Sequence, residues 1–151
     1  GGGGLAAGSC LASEAMQAGS DIWAVEPEGF DDTRRSLASG SREVNRLLSG
    51  SICDALLAPT PAELPFAING KRLARVLAVS DDDVRRAIRF VYEDLRLVAE
   101  PGGVIALASL LCDPTLVRGR NVLVVVSGGN VDPAVFKQAL DFDVNEPVRA
   151  A

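Results

Sequence analysis

Residues 121–126 read Asn-Val-Leu-Val-Val-Val and run straight into Ser127-Gly128-Gly129-Asn130. A β-branched run without polar alternation, closed by glycines, predicts a strand buried on both faces, and such strands occur where helices cover both sides of a parallel sheet. Asp21-Ile22-Trp23-Ala24-Val25 and Arg75-Val76-Leu77-Ala78-Val79 are two further strand candidates. Helical patterns alternate with them. Residues 5–18 are Ala-rich and stop at Gly19, residues 33–37 begin a second short helix, and Pro133 suits the first position of a closing helix to Leu140. Ser80 and Asp83 form a capping-box pair, with Val84, Ala87, Ile88, Val91, Leu95 and Val98 following at spacings of three and four. Pro101-Gly102-Gly103 then precedes the apolar segment 104–111, whereas residues 40–70, rich in Pro, Ser and Gly, predict long loops around one or two short helices. This alternation predicts an α/β fold of three layers around a mostly parallel sheet, with residues 22–25, 76–79 and 122–126 in one sheet and Val124 and Val125 buried deepest. The expected division is a unit over residues 1–140 and a fraying tail over 141–151.

At 151 residues and 48% hydrophobic, the chain has enough apolar material for one packed core. The formal charge is −5 with no basic stripe, which argues against nucleic acid. The chain has no histidine, so Ser-His-Asp triads and His-ligated zinc are excluded. Cys10, Cys53 and Cys112 are odd in number and in no C-x-x-C spacing, which fits a reducing cytoplasm. No apolar run approaches a membrane span. The chain opens on Gly1-Gly2-Gly3-Gly4 without an initiator Met and reads as a piece of something longer.

Three segments carry candidate chemistry. Four glycines feeding an apolar helix leave backbone N–H groups unshielded at the helix's positive end, where a phosphate dianion is held well; the same run also reads as a flexible linker. Ser127-Gly128-Gly129-Asn130 lies at the carboxyl end of a predicted strand, the usual ligand edge of open α/β sheets, and reads equally as a plain turn. Residues 26–32, Glu-Pro-Glu-Gly-Phe-Asp-Asp, place four carboxylates in seven residues, suiting either a hard cation or a helix cap.

Taken in order along the chain, Gly1-Gly2-Gly3-Gly4-Leu5, Val25-Glu26-Pro27, Glu100-Pro101-Gly102-Gly103 and Ser127-Gly128-Gly129-Asn130-Val131-Asp132 resemble the second half of a fold type II pyridoxal-phosphate (PLP) enzyme, the tryptophan synthase β-like fold. The similarity runs from Gly1 to about Leu140 and is strongest to the threonine/serine dehydratases, with serine racemase a near relative. The resemblance implies that Gly1, Gly2, Gly3, Gly4 and Leu5 cradle the cofactor phosphate. It places the Ser127 hydroxyl, followed by Gly128, at the pyridine nitrogen, and Glu100 near the cofactor edge, although Glu100 also reads as a helix-terminal charge. It further implies a cation, Mg²⁺, Ca²⁺ or K⁺, held by Glu26, the Phe30 carbonyl and Asp32. Ala55 stands where the family's Ala-Asp-Gly segment has its glycine close to the ring; an added methyl there crowds the ring or shifts substrate preference.

The family's Schiff-base lysine sits in a Ser-x-Lys-x-Arg-Gly segment upstream of the tetraglycine loop, and this chain has only Lys71 and Lys137, neither in a matching place. Read so, the chain contains no catalytic residue of its own. It is the carboxyl-terminal half of a dehydratase that turns a hydroxyamino acid into a 2-oxo acid and ammonia, inactive alone, with the amino-terminal half as its missing partner and a homodimer as the expected assembly. The alternatives are a serine racemase, a hydroxyaspartate dehydratase, or a non-catalytic module that binds a phosphorylated ligand or a protein.

Overall fold

A computed structural model describes residues 1–142. Helix α1 (Gly4–Ala15) leads to strand β1 (Ile22–Pro27) and helix α2 (Asp32–Ser39). A loop with one 3₁₀ turn (Asp54–Leu56) precedes α3 (Glu63–Arg72), which passes directly into β2 (Leu73–Val79). Helices α4 (Asp81–Leu95) and α5 (Pro101–Cys112), a 3₁₀ turn (Pro114–Val117) and α6 (Pro133–Asp141) complete the described chain. The expected tail over residues 141–151 falls almost wholly outside the described residues.

β1 and β2 pair in parallel, from Ile22 opposite Leu73 to Pro27 opposite Val79. The α/β alternation and the parallel pairing therefore hold. Residues 122–126 correct the expectation, because they form no strand and join no sheet among the described residues. Val124 is only half-buried, Val125 is 51% exposed and Leu123 is 90% exposed, the reverse of the deep burial expected. The physical reason lies in the ladder. A strand needs a neighbour for its N–H and C=O groups, and among the described residues this run has none, because an open cavity lies between it and the free edge of β1. The segment is instead anchored just beyond its end, where the Ser127 N–H donates to the Gly103 carbonyl at 3.2 Å and the Glu100 N–H to the Gly128 carbonyl at 3.0 Å.

α4 begins as its cap requires. The Ser80 hydroxyl accepts from the Asp83 N–H and the Asp83 carboxylate from the Ser80 N–H, both at 3.2 Å. Val84, Ala87, Ile88 and Val91 are buried on its inner face against Val104, Ile105 and Ala108 of α5. Each large aliphatic side chain so buried contributes roughly 1.5–3 kcal/mol. The expected stripe stops short, because Arg96 turns left-handed (φ 57°) and ends the helix, which leaves Leu95 and Val98 exposed. Tyr92 and Phe136 meet edge to face at 5.4 Å and bring α6 onto α4. Lys71 lies in the last turn of α3. Among the described residues, no helix is long and apolar enough to cross a membrane.

Candidate functional site

An open cavity of about 1190 Å³ lies between the free side of β1 and residues 121–125. Residues of α1 and α5 form further parts of its wall. Gly1, Gly2, Gly3, Gly4 and Leu5 line it, together with Ala55, Gly102, Gly103 and Ser127. Segments far apart in the chain thus meet at one space: the tetraglycine loop, the 3₁₀ turn that carries Ala55, the start of α5 and the glycine-rich loop after residue 126. Glu100 and Gly128, expected at the same site, lie outside the lining residues.

Glu100 still acts on the site. One of its carboxylate oxygens accepts the Asn130 N–H at 3.0 Å, while its own N–H donates to the Gly128 carbonyl at 3.0 Å. A Cβ on Gly128 would stand 2.5 Å from the Glu100 carboxylate, and one on Gly103 would stand 2.5 Å from the Gly128 carbonyl. Those glycines allow the backbone of residues 127–130 to lie directly on the start of α5, with Glu100 as the clamp. Ser127 is thereby held at the cavity wall.

Gly3 occupies the N-cap position of α1 with φ +88°, a left-handed conformation that glycine adopts without strain. The Gly2 carbonyl accepts the Ala62 N–H at 3.1 Å, and the Gly3 carbonyl accepts the Asn69 side-chain amide at 3.2 Å. Because C=O and N–H of a trans peptide point opposite ways, these bonds turn the Gly3 and Gly4 N–H groups away from α3. The result is a set of free donors at the positive end of α1.

In the acidic segment, Glu26 is the second-to-last residue of β1 and is buried, with one oxygen accepting the Thr33 N–H at 3.0 Å and the other the Arg34 N–H at 2.9 Å. It caps α2 from a neighbouring strand. Asp32 is 1% exposed; one of its oxygens accepts from the Asn45 amide at 2.7 Å and the other has no partner among the described residues. Burial raises the pKa of both carboxyl groups. Phe30 is buried beside them in sequence. Among the described residues, no three His, Cys, Asp or Glu side chains gather as a metal-binding group, so a cation here would lean on the Phe30 carbonyl and the unpaired Asp32 oxygen.

Residues 1–128 match the family described as pyridoxal-phosphate dependent enzyme. The chain belongs to that family. Among curated relatives, it is 33% identical over 146 residues to a serine racemase of Dictyostelium discoideum, covering 93% of this chain and 44% of that protein. It is 35% identical over 132 residues to an L-threo-3-hydroxyaspartate ammonia-lyase of Saccharomyces cerevisiae, covering 87% and 40%. Its structure resembles that of a maize serine racemase with a TM-score of 0.81 at 32% identity, over 93% of this chain and 45% of that one. The chain therefore spans less than half the length of each of these relatives.

Pyridoxal phosphate presents a phosphate dianion and an aromatic ring with a pyridine nitrogen. The cavity wall offers free N–H donors at the tetraglycine loop and a hydroxyl at Ser127. Lys71 and Lys137 are both exposed and neither lines the cavity; Lys137 pairs with Asp141 one turn further along α6. Two participants escaped the sequence reading. Asn45 reaches Asp32 from a loop without periodicity, and Asn69 reaches Gly3 from the end of a segment expected to be mostly loop. For Asn69 a signal did exist, since Pro65 and Asn69 are four apart and share one face of α3.

Proposed function

We propose that this chain is the carboxyl-terminal part, over residues 1–140, of the cofactor-binding domain of a PLP-dependent ammonia-lyase. The complete protein would take threonine or serine to a 2-oxo acid and ammonia. The observation that carries this reading is the single cavity wall on which the tetraglycine loop, Ala55 and Ser127 converge. When bound, the cofactor supplies an electron-withdrawing ring that stabilises charge at the substrate's α-carbon. This chain's own residues bind and orient. The Gly3 and Gly4 N–H groups and the α1 terminus hold the phosphate, while the Ser127 hydroxyl meets the pyridine nitrogen as a neutral partner. A neutral partner makes a weaker electron sink than a carboxylate, which favours elimination over transamination. Glu100 keeps the Ser127 loop in place without touching the ring.

The attachment lysine and most substrate contacts come from residues outside this sequence, as does a strand between β1 and residues 122–126. That strand would pair the free edge of β1 and cover the exposed Leu123. Similarity to a serine racemase and to a hydroxyaspartate ammonia-lyase supports racemisation or hydroxyaspartate dehydration as the alternative activities. The unpaired, buried Asp32 oxygen supports a cation, with the Phe30 carbonyl as a second ligand and Glu26 as a third that gives up part of its cap on α2. Three free cysteines support a cytoplasmic location.

Borohydride reduction of the complete polypeptide, followed by peptide mass spectrometry, tests this reading. The expected result is a phosphopyridoxyl group on a lysine outside this sequence, with ammonia and 2-oxo acid released from threonine or serine. No turnover is expected from the 151-residue chain alone. Trapping on Lys71 or Lys137 with turnover by this chain alone would overturn it.

A further inference from the structure

A loop of four glycines has no side chains with which to fix its own direction, so the groups that hold its carbonyls decide where its donors point. Apart from helix α1 itself, α3 and the residue just before it supply the two holders. Ala62 uses its backbone N–H, which any residue except proline provides, whereas Asn69 uses its side chain. Pro65, one turn before Asn69, closes the same side, since a Cβ on Gly3 would stand 3.2 Å from the Pro65 Cβ and 2.9 Å from the Asn69 amide nitrogen.

Asn69 is 1% exposed, yet its carbonyl oxygen has no hydrogen-bond partner among the described residues. A buried amide with half its capacity unpaired stabilises a fold less than an apolar side chain of similar size would. Among the described residues, the bond to Gly3 is the one hydrogen bond this side chain makes, and leucine cannot make it. We propose that Asn69 is a positioning residue that sets the direction of the phosphate-binding N–H groups through the Gly3 carbonyl. The inference rests on the phosphate reading above and goes beyond it by naming what orients the loop.

The test uses the complete polypeptide and compares PLP with pyridoxal, which has the same ring and no phosphate. For Asn69→Leu, PLP affinity is expected to fall about ten-fold, the scale of one hydrogen bond. Pyridoxal affinity and the melting temperature of the cofactor-free protein should stay unchanged. Asn69→Asp keeps the shape but replaces the donor with an acceptor. Its PLP affinity relative to wild type should fall further at neutral pH and recover on acidification, when the introduced carboxyl regains a proton to donate. This variant also serves if the leucine variant does not fold. Unchanged PLP affinity in Asn69→Leu overturns the proposal. Parallel losses of PLP affinity, pyridoxal affinity and melting temperature also overturn it, because they mark a purely structural role. If wild type itself does not prefer PLP over pyridoxal, the phosphate reading falls first and this inference with it.

Discussion

Gly3→Ala and Gly4→Ala differ by one position and should differ sharply in consequence. Gly3 has φ +88°, where an L-residue pays roughly 1–2 kcal/mol for the contact of its Cβ with the following carbonyl. The new methyl would also stand 2.9 Å from the Asn69 amide nitrogen and 3.2 Å from the Pro65 Cβ, so α3 must shift, which adds about 1–3 kcal/mol as in other overpacked sites. The expected loss is about 2–5 kcal/mol. Gly4 is the first residue of α1, and a Cβ there meets nothing within 4 Å, so alanine should be neutral or stabilising by up to about 1 kcal/mol. The Gly4 methyl nevertheless stands on the cavity wall, so this variant should keep its stability while losing affinity for PLP. Urea unfolding of the cofactor-free complete polypeptide, with parallel PLP titrations, reads both effects. Equal destabilisation by the two substitutions, or undiminished PLP affinity in Gly4→Ala, would refute the assignment of the loop's inner and outer sides.

Ser80→Ala removes one half of the α4 capping box and should cost about 1–2 kcal/mol in urea unfolding with an unchanged slope. Asp32→Asn should weaken Mg²⁺ or Ca²⁺ binding in calorimetry on the complete protein; because burial raises the pKa of Asp32 and Glu26, wild-type binding should fade on acidification above the ordinary carboxylate range. Unchanged affinity in Asp32→Asn removes the cation assignment. Burial pushes the Cys53 thiol from 9.0 to about 12, so the folded state holds that proton more tightly than the unfolded chain. The stability this gives is complete below pH 9.0 and is lost as pH rises towards about 12, observable as a falling urea midpoint that Cys53→Ala flattens. Iodoacetamide at mildly alkaline pH should label exposed Cys112 and spare Cys10 and Cys53 until the chain unfolds.

Local signals were legible wherever one segment contained its whole cause. The Ser80–Asp83 box, the α4 face at Val84, Ala87, Ile88 and Val91, and Pro133 at the start of α6 depend on neighbours within a few residues, and all three appear as read. The meeting of the tetraglycine loop with Ser127 came from family resemblance, because nothing local says that residues 1–4 and 127 share a wall. Tertiary structure alone assigned Glu26 to cap α2, Glu100 to clamp the Ser127 loop, and Asn69 to hold Gly3. Each is a polar side chain whose partner is a backbone group from another part of the chain, and a backbone group has no signature in sequence. Residues 122–126 show the converse. Their composition carries every mark of a buried strand, but a strand is a relation between two segments. With a cavity rather than a strand beside them among the described residues, hydrophobicity without a ladder leaves Leu123 exposed.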